Sequence, residues 1–543
     1  MSDSTASLAR SSAVMAAGTI VSRVLGMVRA TMLGAVIGMT GLSADAFQVA
    51  NTLPNLLFLL LAGGVLNAVL VPQLTKAAQH ADGGQDFVDR LLTLSIVAMG
   101  VLTLVVTAAA GLLVRLFSQG FSPETMSLSI SFALICLPQV FFYGLYTLLG
   151  QVLNARSQFA AYMWAPVVAN VVSIAGMAIF LTRYPRQPDV SAWTPGMIWL
   201  LAGTTTLGII AQALVLLVPL RRGGFRFRPR WGFRGVGLRS TSTVAGWTFA
   251  ALGVSQASFI VTSKVLTRAT SLSAAQHLHE PGLTAYSNAF LLFMLPHSLV
   301  TVSLVTALFT RMSKAANTGD LAEVRGDVSR GMRLTAVATV PATVASFVLG
   351  TALVGTLFFK NSAADVHATT VVMVAMMAGL VPFGTLYLLQ RVYYAFEDAR
   401  TPFILQLVCS GVGTAISLVA LTLPVAWMGI TVGLGQTVSN LAGAALGLVW
   451  ARRRLDGLPL RPVARTYARL GVAALVAGGA AYLVRLGVEA VVSGRVENLV
   501  TLVLAGLVFG VVYLVLARAL RVREVEELLG PVVSKVRRLV PGA

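Results

Sequence analysis

Residues 11–39 read SSAVMAAGTIVSRVLGMVRATMLGAVIGM, a segment that is long and apolar enough to cross a lipid bilayer as one helix. Two arginines, Arg23 and Arg29, lie inside it. A guanidinium stays charged in a protein, and a charge at membrane depth costs about 2.5–3.5 kcal/mol on insertion scales. Such side chains normally face the interior of a helix bundle or a water-filled cavity. The segment therefore predicts a membrane-spanning helix beside a polar cavity that holds something negatively charged.

The rest of the chain shares this apolar character. Of its 543 residues, 56% are hydrophobic and 11% are charged, whereas soluble proteins carry about 25% charged residues. We predict an all-α integral membrane protein with fourteen transmembrane helices of ~20 residues each. The predicted spans are 12–36, 46–72, 91–117, 128–153, 160–182, 196–219, 240–268, 283–310, 332–358, 368–394, 401–423, 427–450, 467–488 and 498–519.

The net charge of +20 is unevenly placed along the chain. With the N-terminus inside, the loops on one face collect most of the arginines and lysines, and the run RRGGFRFRPRW (221–231) is among the densest. This positive-inside pattern predicts that both termini are cytoplasmic. We therefore interpret the basic residues as topology signals and expect no nucleic acid as a partner. A weaker interpretation is that the 221–231 loop also attracts anionic lipid head groups.

No motif for catalysis or metal binding is present in the sequence. Cys136 and Cys409 lie in apolar spans, where packing is the default role of a cysteine. There is no glycine-rich phosphate loop, zinc-ligand spacing or hydrolase elbow. We expect a transporter rather than an enzyme, with no metal site and no cofactor.

Short segments recur in the two halves of the chain. LVPQLTKAA (70–78) and LFTRMSKAA (308–316) end the second and eighth spans, and VPLRRGG (218–224) and VWARRRLDG (449–457) end the sixth and twelfth. Six spans are an even number, so we predict two parallel repeats that form two lobes around a central cavity, which rocking of the lobes opens to alternate sides. The predicted organisation is an N-lobe (1–225), a C-lobe (226–455), an extra pair of helices with a possible lipid-tail groove (456–520) and a cytoplasmic amphipathic tail (521–543).

Charged side chains in three helices predict an anion-binding site. Arg23 and Arg29 are separated by about 9 Å along helix 1 and roughly 240° around it, so either both flank one groove or one binds ligand while the other pairs with a carboxylate. Asp45, at the start of helix 2, is also predicted to belong to the substrate site. It is a first-turn acid favoured by the helix dipole, a counter-ion of the arginines, or both. Lys264 in helix 7 is expected to face the cavity, whereas Arg268 can snorkel to the membrane surface. Cations from both lobes would best grip a phosphate or diphosphate.

Neighbouring residues complete the predicted site. Ser22 and Asn55 are predicted to contribute polar side chains to substrate binding. Proline interrupts the hydrogen-bond ladder of a helix, and glycine frees the backbone or allows close packing. The predicted hinge or packing residues of helices 1 and 2 are Gly26, Pro54, Gly63 and Gly64.

Three of these segments resemble a known family. SRVLGMVRA (22–30), DAFQVANTLPNLL (45–57) and LVPQL (70–74) closely resemble the signature of the MviN/MurJ family, the lipid II flippases of the multidrug/oligosaccharidyl-lipid/polysaccharide exporter superfamily. The resemblance implies two six-helix lobes plus two helices, in the bacterial plasma membrane. It also implies movement of an undecaprenyl-diphosphate-linked glycopeptide, lipid II, from the cytoplasmic to the outer leaflet. By resemblance, the helix-1 arginines and the helix-2 aspartate match the charged residues of that family.

The chain also departs from the family pattern. The positions where many members carry a charge that this chain lacks are Ala30, Phe58, Leu59, Gly63, Phe290 and Leu291. A sodium site proposed for some members needs polar side chains in helix 11, and residues 401–423 contain no carboxylate. The sequence therefore argues against a sodium site and leaves coupling to the membrane potential or to another cation open.

Three functions are compatible with these features of the sequence. The leading prediction is a lipid II flippase whose partners are lipid II, membrane lipids and, as a further expectation, cell-wall synthases. An alternative within transport is a flippase for another polyprenyl-diphosphate-linked glycan, or a drug exporter, although a drug exporter needs an intramembrane carboxylate pair and Asp45 is the only clear candidate. The alternative outside transport is a scaffold of the cell-wall synthesis machinery.

Overall fold

The computed structural model describes residues 2–61, 85–156, 158–225, 227–231, 243–528 and 530. All regular structure within these ranges is helical, which confirms the predicted all-α class. The chain divides into two compact units, Met1–His277 and Leu278–Ala543.

The first unit holds helices α1 to α11. In chain order they are α1 (Ser2–Ile37), α2 (Leu42–Leu61), α3 (Gln85–Ala108), α4 (Ala110–Phe117), α5 (Pro123–Cys136), α6 (Gln139–Ala155), α7 (Phe159–Arg183), α8 (Pro195–Ile198), α9 (Thr204–Leu214), α10 (Leu217–Arg222) and α11 (Thr243–Ala275). A 3₁₀ turn covers Val190–Ala192 and a π-helical turn covers Trp199–Gly203.

The second unit holds helices α12 to α20. They are α12 (Leu283–Pro296), α13 (Val302–Asn317), α14 (Leu321–Leu357), α15 (Ala363–Met377), α16 (Leu380–Ala395), α17 (Arg400–Ala420), α18 (Val425–Arg454), α19 (Leu460–Val491) and α20 (Arg495–Ala519). A π-helical turn, His297–Thr301, joins α12 to α13.

The described residues contain 12 helical segments long and apolar enough to span a membrane, or 13 if the bent pair α15–α16 counts as one span. They coincide with all the predicted spans except the second. Helix α2 supplies the first part of that span, and its remainder lies outside the described residues, as do Gly63 and Gly64. The chain is thus a multi-pass membrane protein. The count of fourteen and the arrangement of two lobes stay predictions.

Within the first unit, α1 packs along α7, α7 packs along α9, and α2 packs against α5, α6 and α11. Small residues allow these close approaches, as is usual where helices meet in a membrane. A Cβ at Gly208 of α9 would lie 2.7 Å from the carbonyl oxygen of Ala169 on α7. Helix α11 also packs against α4, so it is part of the first unit. The domain boundaries predicted from the repeat stay predictions.

Within the second unit, the long helix α14 packs against α15, α16, α19 and α20. Alanines make up half of the buried residues in the contact with α19 and α20, among them Ala473, Ala477 and Ala505. The chain after α20 turns back onto this cluster, because Val522 and Val525 are buried in it. Two ion pairs, Arg330–Glu527 and Arg333–Glu524, join the start of the tail to α14.

Helix α15 meets α16 at an angle of 47°. The chain comes close to α18 at this break, because a Cβ at Gly379 would lie 2.7 Å from the Cα of Thr437. Thr437 Oγ1 donates a hydrogen bond of 2.6 Å to the carbonyl oxygen of Ala375 near the break. A hydroxyl from a neighbouring helix thus binds a carbonyl beside the bend, which is the usual way that a broken membrane helix is tolerated.

Candidate functional site

Helix α1 places Ser22 and Gly26 against α7. Asn170 Nδ2 donates a hydrogen bond of 3.0 Å to the backbone oxygen of Ser22, so Ser22 contacts α7 through its main chain. A Cβ at Gly26 would lie 4.0 Å from the same amide nitrogen, an ordinary contact distance. Gly26 therefore lies in the α1–α7 interface, although alanine would also fit there.

The two arginines of α1 lie in different surroundings. Arg23 is exposed, whereas Arg29 is half-buried and lies within electrostatic range of Tyr143 on α6. Arg29 forms no ion pair or hydrogen bond within the described part of the chain. The aromatic ring of Phe58 on α2 stacks on Tyr143 with centroids 5.6 Å apart. Arg29 therefore lies near an aromatic pair that α2 and α6 share.

Asp45 is buried in the first turn of α2 and contacts α11. Thr270 Oγ1 donates a hydrogen bond of 2.5 Å to Asp45 Oδ2, and both side chains are buried. Ser129 of α5 donates to the adjacent carbonyl oxygen of Ala46 at 2.9 Å. Thr270 was not among the predicted site residues. Asp45 thus joins the second and seventh predicted spans, and its predicted role as a counter-ion to the arginines stays a prediction.

Helix α11 carries a stripe of hydroxyl groups on its buried face. Ser263 Oγ donates to the carbonyl oxygen of Phe117 at 2.6 Å, and Thr267 Oγ1 accepts from the backbone nitrogen of Gln119 at 2.9 Å. Together with Thr270 they recur at i, i+4 and i+7, which places them on one side of a helix. This spacing is visible in the sequence, although none of the three residues was among those predicted for the site. The stripe anchors α11 to α4 and α2.

The basic residues of α11 lie beside this hydroxyl stripe. Lys264 and Arg268 are four residues apart, so they share a face of the helix. Lys264 is half-buried and Arg268 is exposed. Within the described residues, neither side chain forms an ion pair. Lys264 therefore supplies a positive charge inside an apolar span that no carboxylate of the described chain neutralises.

The remaining predicted residues lie on α2. Pro54 is buried inside the helix, and the next residue, Asn55, is exposed. Among the positions that lack a family charge, Leu59 is exposed, and Phe290 of α12 is 37% exposed and stacks on Tyr286 and Phe293. No group of three or more His, Cys, Asp or Glu side chains in the described ranges could hold a metal ion.

Cationic side chains in membrane spans can bind an anion without covalent chemistry. Arg29 presents a planar fork that suits phosphate oxygens, and Lys264 presents a compact point charge. The structure places both in the first unit, on helices that pack against different neighbours. Tyr143 lies within electrostatic range of Arg29, and Lys264 lies on a helix that three hydroxyl groups anchor to its neighbours.

Known proteins resemble the chain in sequence and in fold. The family model "Lipid II flippase MurJ" matches residues 30–501. A probable lipid II flippase MurJ of Vibrio cholerae is 28% identical over 492 residues, which cover 87% of this chain and 88% of that protein. The lipid II flippase MurJ of Burkholderia cenocepacia is 30% identical over 396 residues, which cover 71% and 72% of the two chains.

Solved structures share the fold. A lipid II flippase MurJ in an inward closed conformation has a TM-score of 0.71 at 19% identity, over 93% of this chain and 99% of that one. An inward-facing MATE-family multidrug resistance transporter of the MOP superfamily has a TM-score of 0.60 at 15% identity, over 80% and 94% of the two chains. Because the family model spans most of the sequence, the chain belongs to the lipid II flippase MurJ family.

Proposed function

We propose that this protein is a flippase that moves lipid II from the cytoplasmic to the outer leaflet by alternating access. Membership of the family and the similarity to named lipid II flippases support the cargo. The positions of Arg29 and Lys264 support these two residues as the ones that bind the cargo. Both are half-buried in membrane spans and lack a carboxylate partner within the described residues, so an anion from outside the chain is the natural counter-charge.

In this proposal the cationic residues hold the diphosphate of the cargo. Arg29 and Lys264 bind its oxygens, with Arg23 at the more exposed position on the same helix. Asn55, exposed on α2, is available to the polar head group. Asp45 acts through its hydrogen bond to Thr270, because that bond ties α2 to the helix that carries Lys264. A change in the packing of α2 against α11 would then alter the position of the lysine.

The cargo is anionic, so the membrane potential is a sufficient source of energy. Moving one elementary charge across the membrane is worth about 2.3 kcal/mol per 100 mV. We propose that the membrane potential drives transport. Coupling to a cation other than sodium is the alternative. Helix α17, which corresponds to the predicted eleventh span, contains no carboxylate to hold sodium.

The proposed membrane arrangement follows from the charge pattern. The chain is a multi-pass protein of the bacterial inner membrane, and we propose that both termini face the cytoplasm. We also propose two parallel lobes around the cavity that holds the cargo. Cell-wall synthases are proposed partners, since they consume lipid II at the outer face.

Depletion of the protein in its native host tests the proposed function. We expect lipid II to accumulate in the cytoplasmic leaflet, where an external hydrolase cannot reach it. The Arg29→Ala and Lys264→Ala variants should insert at normal levels and fail to restore growth. Arg268→Gln is the matched control, because it removes an exposed charge one turn along the same helix. Unchanged sidedness of lipid II after depletion would refute the proposal.

A second cargo is favoured by one observation. Aromatic or aliphatic side chains occupy positions at which many family members are basic. Phe58 is one of these side chains, and it stacks on Tyr143, which lies near Arg29. A more apolar surface around the cations would suit a different polyprenyl-diphosphate-linked glycan. If depletion leaves lipid II sidedness unchanged but traps another polyprenyl-linked glycan inside, this alternative is correct. If neither lipid is trapped, a scaffold role gains support.

A further inference from the structure

A cavity of about 520 Å³ lies between α7 and the α9–α10 segment of the first unit. None of the charged residues of the proposed cargo site lines it. Ala161, Trp164 and Val168 line one side, and Val215 and Val218 line the other. Arg222 and Gln158 also contribute to its lining. Its volume falls within the range of small-ligand sites, about 300–1,000 Å³.

The cavity has a local structural cause. Helices α7 and α9 are tightly packed at Gly208, where a Cβ would lie 2.7 Å from the Ala169 carbonyl oxygen. Beyond that contact α9 ends at Leu214, and the chain turns before α10 begins at Leu217. On the opposite wall, Ala161 and Ala165 are too small to fill the gap. These small side chains and the turn between α9 and α10 leave space near the basic end of the unit.

The walls and the basic end differ in chemistry. The walls are almost entirely apolar, and the end carries Arg222 together with the exposed Arg221. Neither arginine forms an ion pair within the described residues. Asp189 is the only acidic residue from 156 to 231, and it lies beyond the opposite end of α7. The indole nitrogen of Trp164 donates to the carbonyl oxygen of Val14 at 3.1 Å, so this side chain is held in place at the wall.

From this arrangement we propose that the cavity binds an anionic phospholipid. One acyl chain would occupy the space between α7 and α10, and the phosphate would bind Arg222. A free phosphate would leave the apolar walls unused, and a neutral lipid would leave the arginine without a counter-charge. Tryptophan at the wall also fits a site at the level of the lipid head groups.

Fluorescence quenching by brominated lipids tests the proposal on the full-length protein. The purified protein is placed in micelles with phosphatidylglycerol or phosphatidylcholine that carries bromine on one acyl chain. The chain has seven tryptophans, so the contribution of Trp164 is the difference between the protein and its Trp164→Phe variant. We expect phosphatidylglycerol to quench Trp164 at a lower mole fraction than phosphatidylcholine.

Two variants separate the head-group contact from the acyl-chain contact. Arg222→Gln should reduce the preference for phosphatidylglycerol about fivefold, which corresponds to about 1 kcal/mol for one basic residue near an anionic lipid. The matched control is Arg228→Gln, which removes the same charge from the same basic run outside the cavity. Ala161→Leu should fill the cavity and weaken quenching of Trp164 by both lipids.

Several results would overturn the proposal. Equal losses in Arg222→Gln and Arg228→Gln would mean that the basic loop attracts anionic lipid without a site. Unchanged quenching of Trp164 in Ala161→Leu would mean that no acyl chain enters the cavity. Equal quenching by both lipids in the unaltered protein would exclude selection for the anionic head group. None of these results bears on lipid II transport, which is measured separately.

Discussion

Thr270 of α11 donates a hydrogen bond of 2.5 Å to Asp45 of α2, across 225 residues of sequence. Asp45 is 0% exposed and Thr270 is 2% exposed, so water does not compete for this bond. The Thr270 hydroxyl also lies 3.2 Å from the carbonyl oxygen of Leu266 on its own helix. A single hydroxyl thus joins two predicted membrane spans, one of which carries Lys264.

Replacing Thr270 with valine should destabilise the protein by about 1–2 kcal/mol, because a buried carboxylate loses a donor in an interhelical contact. Thr270→Ser keeps the hydroxyl and should lose much less. The free energy of unfolding can be measured by SDS titration in mixed micelles. Thr262→Val is the control on the same helix, since no hydrogen bond of the Thr262 side chain is found within the described residues. Equal destabilisation by the two valine variants would show that the bond to Asp45 contributes nothing.

Lys264→Met should lower flippase-dependent growth at least tenfold, because it removes a cation of the proposed cargo site. The amount of folded protein should stay unchanged, because Lys264 has no carboxylate partner in the described chain. Lys264→Arg keeps the charge and should restore part of the activity. Complementation of a depletion strain, together with quantification of membrane insertion, measures both effects. Full growth of the Lys264→Met strain would remove this residue from the proposed binding site.

Gly379→Ala should destabilise the second unit by about 1–3 kcal/mol, the usual cost of overpacking. A new Cβ at this position would lie 2.7 Å from the Cα of Thr437, and backbone cannot move aside as a flexible side chain does. Gly411→Ala on α17 is the matched control, since nothing lies within 4 Å of a Cβ there. Thermal unfolding followed by size-exclusion chromatography compares the two. Similar melting temperatures would contradict the close approach of α16 and α18.

The ion pairs that hold the tail should differ in strength. Glu524 is buried and pairs with the half-buried Arg333, whereas Glu527 and Arg330 are both more exposed. Removing one partner of a buried pair leaves an uncompensated charge, while exposed pairs contribute only about 0–1 kcal/mol. Glu524→Gln should therefore speed proteolysis of the tail after Arg518 several-fold, and Glu527→Gln should have little effect. Faster cleavage in Glu527→Gln than in Glu524→Gln would reverse this ranking.

Much of the architecture could be predicted because each membrane span is a local property. About twenty consecutive apolar residues suffice to predict a spanning helix, whichever helices pack beside it. Charges inside a span are also visible directly, so Arg23, Arg29 and Lys264 could be selected as candidates without any structure. The neighbours of these residues could not be predicted in the same way. Tyr143 near Arg29 is one example, and Thr270 at Asp45 is another.

The sequence alone determined the helical class, the 12 or 13 spans that the described residues contain, and the residues that carry charge into the membrane. Only the tertiary structure decided which face of each helix is buried. Leu504 and Ala505 are neighbours on one apolar helix, yet Leu504 is 50% exposed and Ala505 is 0% exposed. In a soluble protein, polarity would separate those two faces. Lipid tails are as apolar as leucine, so side-chain shape and a few hydrogen bonds set the contacts between membrane helices.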